Sequence, residues 1–194
     1  ITEMHSDVYD MFTLFEKRDR LYLLYGNHNI VQKKNGAYLE GLILCPESSP
    51  EKSLYLTHGH QASLLNSTLW RVARFLVRYF WSPLENLGIL DPTSAAKNYE
   101  VKEKCEARLR SWAEENRHIL ITGHTHRPVM PEGEAFYYNT GSCVHPRCIT
   151  CIELERGKLT LVKWSMQARM DSVLYVQREV IGGPVGLLVP ARQT

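Results

Sequence analysis

The chain has 194 residues, of which 44% are hydrophobic and 23% charged, and its formal net charge is +2. These proportions are ordinary for a globular domain and exclude intrinsic disorder, collagen-like structure and a small disulfide scaffold. The near-neutral charge argues against a protein that coats nucleic acid. No apolar run approaches the roughly 20 residues of a membrane helix. The odd number of cysteines, five, fits reduced thiols. We therefore predict a soluble, cytoplasmic protein without a transmembrane segment.

The spacing of apolar residues predicts the elements in chain order. Helical spacing occurs over residues 7–17, over 62–81 and from 101 to about 116. Short apolar or alternating runs predict strands over residues 21–25, 37–45, 53–57, 118–122, 135–139, 149–155, 159–164 and 173–180. The last four of these strands alternate as antiparallel strands do, with Arg156 and Gly157 as a hairpin turn.

Five of the eight histidines lie in three glycine-containing turns, each directly after a predicted strand. The turns are Gly26-Asn27-His28-Asn29, His58-Gly59-His60 and Gly123-His124-Thr125-His126. Ligands bind at the carboxyl ends of strands in open α/β sheets, and glycine lets the chain turn sharply there. Imidazole nitrogens and the carboxamide oxygen suit Zn, Mn or Fe. A single histidine at a strand end is more often a packed residue than a ligand, but three such turns predict a metal site.

In this order the three turns resemble the last three signature blocks of the calcineurin-like metallophosphoesterases. The segment Asn139-Thr140-Gly141-Ser142 resembles the Asn-x-Gly-Ser turn that often follows them, and the likeness covers residues 21–142. The Gly-His-Thr-His-Arg-Pro version and the helical excursion before it are similar to the branch that contains UDP-diacylglucosamine pyrophosphatases. The resemblance implies an α/β (α+β) fold. Its form would be a sandwich of two mixed β-sheets flanked by helices, lacking the first strand-helix unit or units.

The resemblance also implies a dinuclear site with two divalent metal ions, Mn²⁺ first and Fe, Zn or Mg as alternatives. Asn27, His58 and His124 would bind one metal and His126 the other. His28 would face the scissile phosphate and act as the catalytic proton donor or as a stabilising imidazolium. Two such ions clamp the phosphoryl group and lower the pKa of a bridging water, so that hydroxide attacks in line. Residues expected to support the ligands or contact the substrate are His60, Arg127 and Asn29.

The first two blocks of that family, Asp-x-His and Gly-Asp-x-x-(Asp/Asn/Glu), are not complete in this sequence. They supply the remaining ligands, including the bridging carboxylate. We therefore expect a single metallophosphoesterase domain over residues 1–194 that is N-terminally incomplete, with the excursion 62–116 as a cap. The predicted activity is hydrolysis of phosphomonoester, phosphodiester or pyrophosphate bonds in a phosphorylated small-molecule, lipid-linked or nucleotide substrate. A catalytically incomplete binding or scaffold module of the same fold is the alternative.

A cysteine pattern offers a competing interpretation. Cys143, Cys148 and Cys151 match three ligands of a plant-type iron-sulfur loop, but no cysteine follows Cys151 to supply the fourth. A zinc site that includes His145 is a further alternative. Free thiols that are buried or half-buried explain the pattern without any metal.

A basic and aromatic helical face lies within the excursion. It comprises Arg71, Arg74 and Arg78 with Trp70, Tyr79 and Trp81. Such a face can bind lipid headgroups, nucleotides or nucleic acid, but a solvated face on a packed amphipathic helix has the same pattern. On the enzyme interpretation the face belongs to the cap, where substrate specificity would be determined.

Overall fold

The computed structural model describes residues 5–27, 38–47, 53–62, 99–133, 135–145 and 147–187. Within these ranges the chain is α+β. The helices are α1 (Ser6–Glu16) and α2 (Tyr99–Asn116), with a short 3-10 helix at His60–Ala62. The strands are β1 (Gly41–Leu44), β2 (Leu54–Thr57), β3 (Ile119–Thr122), β4 (Tyr137–Asn139), β5 (Cys148–Glu155), β6 (Lys158–Ala168) and β7 (Leu174–Gly186). No helix of the described ranges is long and apolar enough to cross a membrane.

The first sheet is mixed, with the order β1-β2-β3-β4. β1 is antiparallel to β2, whereas β2 is parallel to β3 and β3 to β4. All four residues of β3 are buried, as expected for a strand that is covered on both faces. Because β2 and β3 are parallel, the residues that follow them, His58 and Gly123, emerge at the same edge of the sheet.

Side chains alternate between the two faces of this sheet and so create two cores. On one face Leu120 and Tyr137 pack against Cys105, Leu109 and Ala113 of α2. On the other face the buried cluster joins the mixed sheet to β6, and its members are Leu54, Ile119, Ile121, Tyr138 and Leu159. The described chain therefore stacks α2, the mixed sheet and the second sheet in three layers.

The second sheet has the order β5-β6-β7 and is antiparallel throughout. Arg156 and Gly157 connect β5 to β6, and both have positive φ angles, 50° and 73°. Two left-handed residues are what a tight type I′ hairpin requires. The predicted hairpin turn is confirmed. The prediction of two mixed sheets is wrong for this sheet, because the hairpin connections make its strands antiparallel.

Two of the strand predictions need correction. Residues 21–25 do not form a strand. Within the described residues they form one isolated parallel β-bridge, between Leu24 and Leu39. Tyr25 is buried, but Tyr22 is 58% exposed. The strand predicted over residues 135–139 is present as β4, but it pairs parallel to β3 rather than antiparallel. Alternation reports which side chains are buried and says nothing of strand direction, which depends on the connection.

Of the three predicted helices, two are present in the described residues. α1 matches the prediction over residues 7–17, yet it buries none of its side chains, and apolar residues such as Met11 and Phe12 are exposed. α2 matches the helix predicted from residue 101 to about 116. The helix predicted over 62–81 and its basic face lie outside the described residues, apart from residue 62 itself.

Candidate functional site

The segment after Tyr25 and the segment after β2 meet at Asn27 and His58. The Asn27 Oδ1 lies 3.2 Å from the His58 Nε2. This separation allows a hydrogen bond. It also suits two ligands of one ion, since ligands at about 2.1 Å with angles near 90–110° lie roughly 3.0 to 3.4 Å apart. Gly26 makes the approach possible, because a Cβ at that position would lie only 2.7 Å from the same His58 nitrogen.

Two further imidazoles lie beside the ring of His58. The ring centre of His124 is 5.2 Å from that of His58, and the ring centre of His60 is 5.4 Å from it. Imidazoles that share one ion have ring centres about 4.6 to 5.6 Å apart. His60 and His124 are only 3% and 6% exposed, and the His124 Nε2 is shielded from solvent. We refer to His58, His60 and His124 as the histidine cluster.

The two turns that carry these rings are also joined through the backbone. The Gly123 N–H donates to the His58 carbonyl over 3.1 Å. The turn after β3, residues 123–127, then takes an unusual course, because His124 and His126 both have positive φ angles, 65° and 58°. Of these two side chains, that of His124 is buried in the cluster and that of His126 is exposed. The two histidines are therefore placed in different environments.

Asn139, at the end of β4, forms side-chain hydrogen bonds with the 123–127 turn. The residue is 0% exposed. Its Nδ2 donates to the Gly123 carbonyl over 2.8 Å and to the Thr125 Oγ1 over 3.1 Å, and its Oδ1 accepts from the Gly141 N–H over 2.9 Å. The Thr122 and Tyr137 hydroxyls lie within 3.3 Å of the same Nδ2. The Asn-x-Gly-Ser segment thus has a structural role here, which is to hold the histidine turn.

Sequence analysis missed one functional candidate, Glu106 of α2. This carboxylate is 2% exposed. It accepts a hydrogen bond of 2.7 Å from the Thr125 Oγ1 and lies 3.6 Å from the Arg127 Nε. The only signal in the sequence is its position in the apolar stripe of the helix, beside Cys105 and three residues before Leu109, where a charge is costly without partners.

The donors present fit one ion better than two. Among the described residues no three His, Cys, Asp or Glu side chains are arranged to hold a metal. Asn27, His58 and His124 include only two such side chains, so they would hold an ion only with the Asn27 amide oxygen as the third donor. The spacings of 3.2 Å and 5.2 Å and the chemistry of these donors fit an ion at that place. For the second ion, His126 is the only predicted ligand that the described ranges contain.

Other predicted residues are placed as follows. His28 and Asn29 lie outside the described residues. His60 lies against the rings of His58 and Tyr25. Arg127 pairs with Glu106, and its guanidinium carbon lies 5.8 Å from the ring centre of Tyr99.

The cysteine pattern does not form a metal site in the described chain. Cys143 is exposed, and the Cys148 Sγ lies 4.0 Å from the His145 Nδ1. Burial raises the pKa of the Cys151 thiol. All three are free thiols, and no third ligand joins any pair of them within the described ranges. The expectation of half-buried free thiols holds for Cys148 and Cys151, whereas Cys143 is exposed.

A cavity of about 630 Å³ lies between α2 and the mixed sheet. Its walls are mainly apolar and include Leu42, Leu56 and Trp112. Thr57 and Gln61 also line it, so it adjoins the His58-Gly59-His60 turn. Gln61 is held there by its own bonds, since its Oε1 accepts from the Gly59 N–H over 3.1 Å and its Nε2 donates to Thr57 over 2.9 Å.

Comparison with known proteins adds no assignment to this geometry. The chain matches no protein-family model, no curated protein and no solved structure.

Proposed function

We propose that this chain is a metal-dependent hydrolase of phosphomonoester, phosphodiester or pyrophosphate bonds with a metallophosphoesterase-type fold. One observation carries the proposal, which is that Asn27 and His124, from two other segments of the chain, both lie beside His58. The Asn27 Oδ1 lies 3.2 Å from the His58 Nε2, and the His58 and His124 ring centres lie 5.2 Å apart. Two of these residues follow the parallel strands β2 and β3, where ligand sites in such sheets lie.

We assign metal binding and proton donation to different residues. Asn27, His58 and His124 would hold a divalent ion, preferably Mn²⁺, and His126, which is exposed beyond the cluster, would contribute to a second one. Such ions would supply neutralisation of phosphoryl charge and an activated water. His28 donates a proton to the leaving oxygen.

The layered architecture supports this proposal in part, because a mixed sheet packs against a second sheet, although that second sheet is antiparallel where the resemblance implies a mixed one. The mixed sheet packs on one side against α2 and on the other against the antiparallel sheet. In a metallophosphoesterase-type sandwich the ligands project from loops at one end of the sheets, and the histidine turns lie at such an end here. The apolar cavity of about 630 Å³ beside Gln61 favours substrates in which an apolar group is attached to the phosphate.

The proposal is tested by metal analysis together with turnover of p-nitrophenyl phosphate and bis-p-nitrophenyl phosphate in added Mn²⁺. We expect tightly bound Mn²⁺ and turnover that falls at least about 100-fold in His124→Ala, because the ligand set loses a member. His145→Ala is the matched control, since His145 is exposed in the segment before β5, outside the cluster. Equal activity in the two variants would contradict the assignment of His124.

A binding or scaffold module that retains the fold is the second candidate. It is favoured by one observation, the lack of three grouped His, Cys, Asp or Glu side chains in the described part of the chain. Less than one metal per chain and no turnover of either substrate would support this module over the enzyme.

A further inference from the structure

Glu106 is a buried charge in the middle of an otherwise apolar helix face. It is 2% exposed and lies beside Cys105 and Leu109 in the core between α2 and the mixed sheet. Burying a carboxylate without partners costs several kcal/mol, so its partners account for its presence there. Both partners of Glu106 belong to the histidine turn that follows β3.

Each oxygen of the Glu106 carboxylate has its own partner. The Thr125 hydroxyl donates to Oε1 over 2.7 Å, and the Arg127 Nε lies 3.6 Å from Oε2. These two residues flank His126 in the sequence, so one carboxylate contacts the chain on both sides of that histidine. Thr125 is also bonded to Asn139 over 3.1 Å, which connects Glu106 to the network under the turn.

Arg127 is held by α2 on one edge and remains accessible on the other. Its Nε lies at an ion-pair distance of 3.6 Å from the Glu106 Oε2, its guanidinium carbon lies 5.8 Å from the Tyr99 ring centre, and its side chain is 41% exposed. A guanidinium has five N–H donors in a fixed fork. Because the ion pair is made at Nε, both terminal nitrogens stay available to an anion, which a guanidinium can bind through two parallel hydrogen bonds.

We propose that Glu106 is a positioning residue that holds Thr125 and Arg127 so that the Arg127 guanidinium binds the phosphoryl group presented at the histidine turn. The phosphoryl part of this inference rests on the proposed function. The positioning part does not rest on the proposed function, because it follows from contacts within the chain. α2 also contacts the segment that follows the His58-Gly59-His60 turn, because the Arg108 side chain donates to the Ala62 carbonyl over 3.0 Å. Glu106 and Arg108 thus connect this helix to the segments of both turns.

The first test needs no metal. The Nε–Hε cross-peak of Arg127 is recorded in a ¹H–¹⁵N spectrum of the metal-free chain and identified by its loss in Arg127→Gln. We expect a protected, shifted peak in the native chain, and a peak that moves to the position of exposed arginines in Glu106→Gln. Glu114→Gln, on the exposed side of the same helix, is the matched control and leaves the peak unchanged. Glu106→Asp keeps the charge and is expected to retain part of the shift.

The second test measures binding of inorganic phosphate to the chain loaded with Mn²⁺. We expect Glu106→Gln and Arg127→Gln each to weaken phosphate about tenfold, and the double variant to bind no more weakly than Arg127→Gln alone. Such non-additivity is the mark of two residues that act as one unit. Mn²⁺ affinity, measured in the same samples, is expected to change less than threefold.

The outcomes separate this inference from the proposed function. An unchanged Arg127 cross-peak in Glu106→Gln overturns the positioning role whether or not the chain binds metal. A shifted cross-peak with additive or absent effects on phosphate affinity overturns the role of Arg127 in anion binding. Failure of the native, Mn²⁺-treated chain to bind phosphate contradicts the proposed function and the anion role together, and the cross-peak still decides the positioning role.

Discussion

The two His-x-His turns of the mixed sheet are built in opposite ways. In the first, the left-handed residue is the glycine between the histidines, Gly59, whose φ is 99°. In the second, the histidines themselves are left-handed, with φ angles of 65° and 58°, and the residue between them, Thr125, is fully buried. Both rings of the first turn belong to the histidine cluster, whereas the second turn contributes only His124 to it.

The difference shows two ways of accommodating a strained backbone at a ligand site. A left-handed conformation costs a residue other than glycine about 1–2 kcal/mol. The first turn avoids that cost by having no side chain at the critical position. In the second turn this cost is offset by buried hydrogen bonds, in which the Thr125 hydroxyl donates to Glu106 and accepts from the Asn139 amide. The two turns should therefore fail under different substitutions.

The largest expected effect is on the second turn, from Asn139→Ala. The substitution removes every bond of a fully buried carboxamide, including those to the Gly123 carbonyl and the Gly141 N–H. We expect the free energy of unfolding to fall by about 3–5 kcal/mol, because several buried partners are left unsatisfied. Urea denaturation of Asn139→Ala and of the control Asn116→Ala measures this.

The control carries the same side chain in an exposed place, since the Asn116 Nδ2 donates to the Trp112 carbonyl at the surface of α2. Asn116→Ala is expected to cost less than about 1 kcal/mol. Similar losses in the two variants would mean that the Asn139 network does not stabilise the second turn.

The next effect is on the first turn, from Gly59→Ala. The added Cβ would lie 3.2 Å from the Thr122 Cβ, and the residue would have to keep a φ of 99°. Strain and crowding together should lower the free energy of unfolding by about 2–3 kcal/mol. Gly157→Ala is the matched control, because its φ is also positive, 73°, but nothing lies within 4 Å of the added atom.

Strain alone is expected in that control, at a cost of about 1 kcal/mol. Both free energies come from urea denaturation. If Gly59→Ala costs no more than Gly157→Ala, close packing at the first turn is not what selects glycine there.

A smaller effect is expected from Thr125→Val, which keeps the shape of the side chain and removes its hydroxyl. The Glu106 carboxylate and the Asn139 amide each lose a partner, at 2.7 Å and 3.1 Å respectively. We expect a loss of about 2 kcal/mol in thermal or urea unfolding. Thr13→Val on the exposed helix α1 should change stability by less than about 0.5 kcal/mol. A neutral Thr125→Val would show that the second turn does not depend on its buried bonds.

The two turns also show which parts of the fold and of the site can be predicted from the sequence. The strands predicted over residues 53–57 and 118–122 are present as β2 and β3, because short apolar runs that end at polar or glycine residues define buried strands well. Their parallel pairing then brings His58 and His124 together. Asn27 reaches the same place even though residues 21–25 form only a bridge, since Gly26 allows the close approach.

What the sequence did not predict depends on residues far apart in the chain. Glu106 and Thr125 are 19 positions apart, and neither local spacing nor periodicity reports that their side chains meet. The direction of β4 is likewise set by a non-local feature, the way the chain returns to pair with β3. Such features depend on tertiary contacts, which leave no mark on the local pattern.

The smallest effect is a pH dependence at the first turn. The Cys105 Sγ lies 3.8 Å from the Gly59 carbonyl. Burial, reinforced by the neighbouring Glu106 carboxylate, raises the pKa of this thiol from 9.0 to about 11. The folded chain therefore keeps a proton that the unfolded chain releases, so this contribution to stability is complete below pH 9 and is lost as pH rises toward 11.

Between pH 8 and pH 9.5 we expect this thiol to account for about 0.8 kcal/mol of lost stability. Urea denaturation of the native chain and of Cys105→Ala at both pH values isolates the contribution, because the remaining titratable groups are shared. Cys105→Ala is less stable at either pH because of the methyl-sized void it leaves, but its loss between the two should be smaller by that amount. If both chains lose the same stability between the two pH values, the thiol does not titrate with a raised pKa.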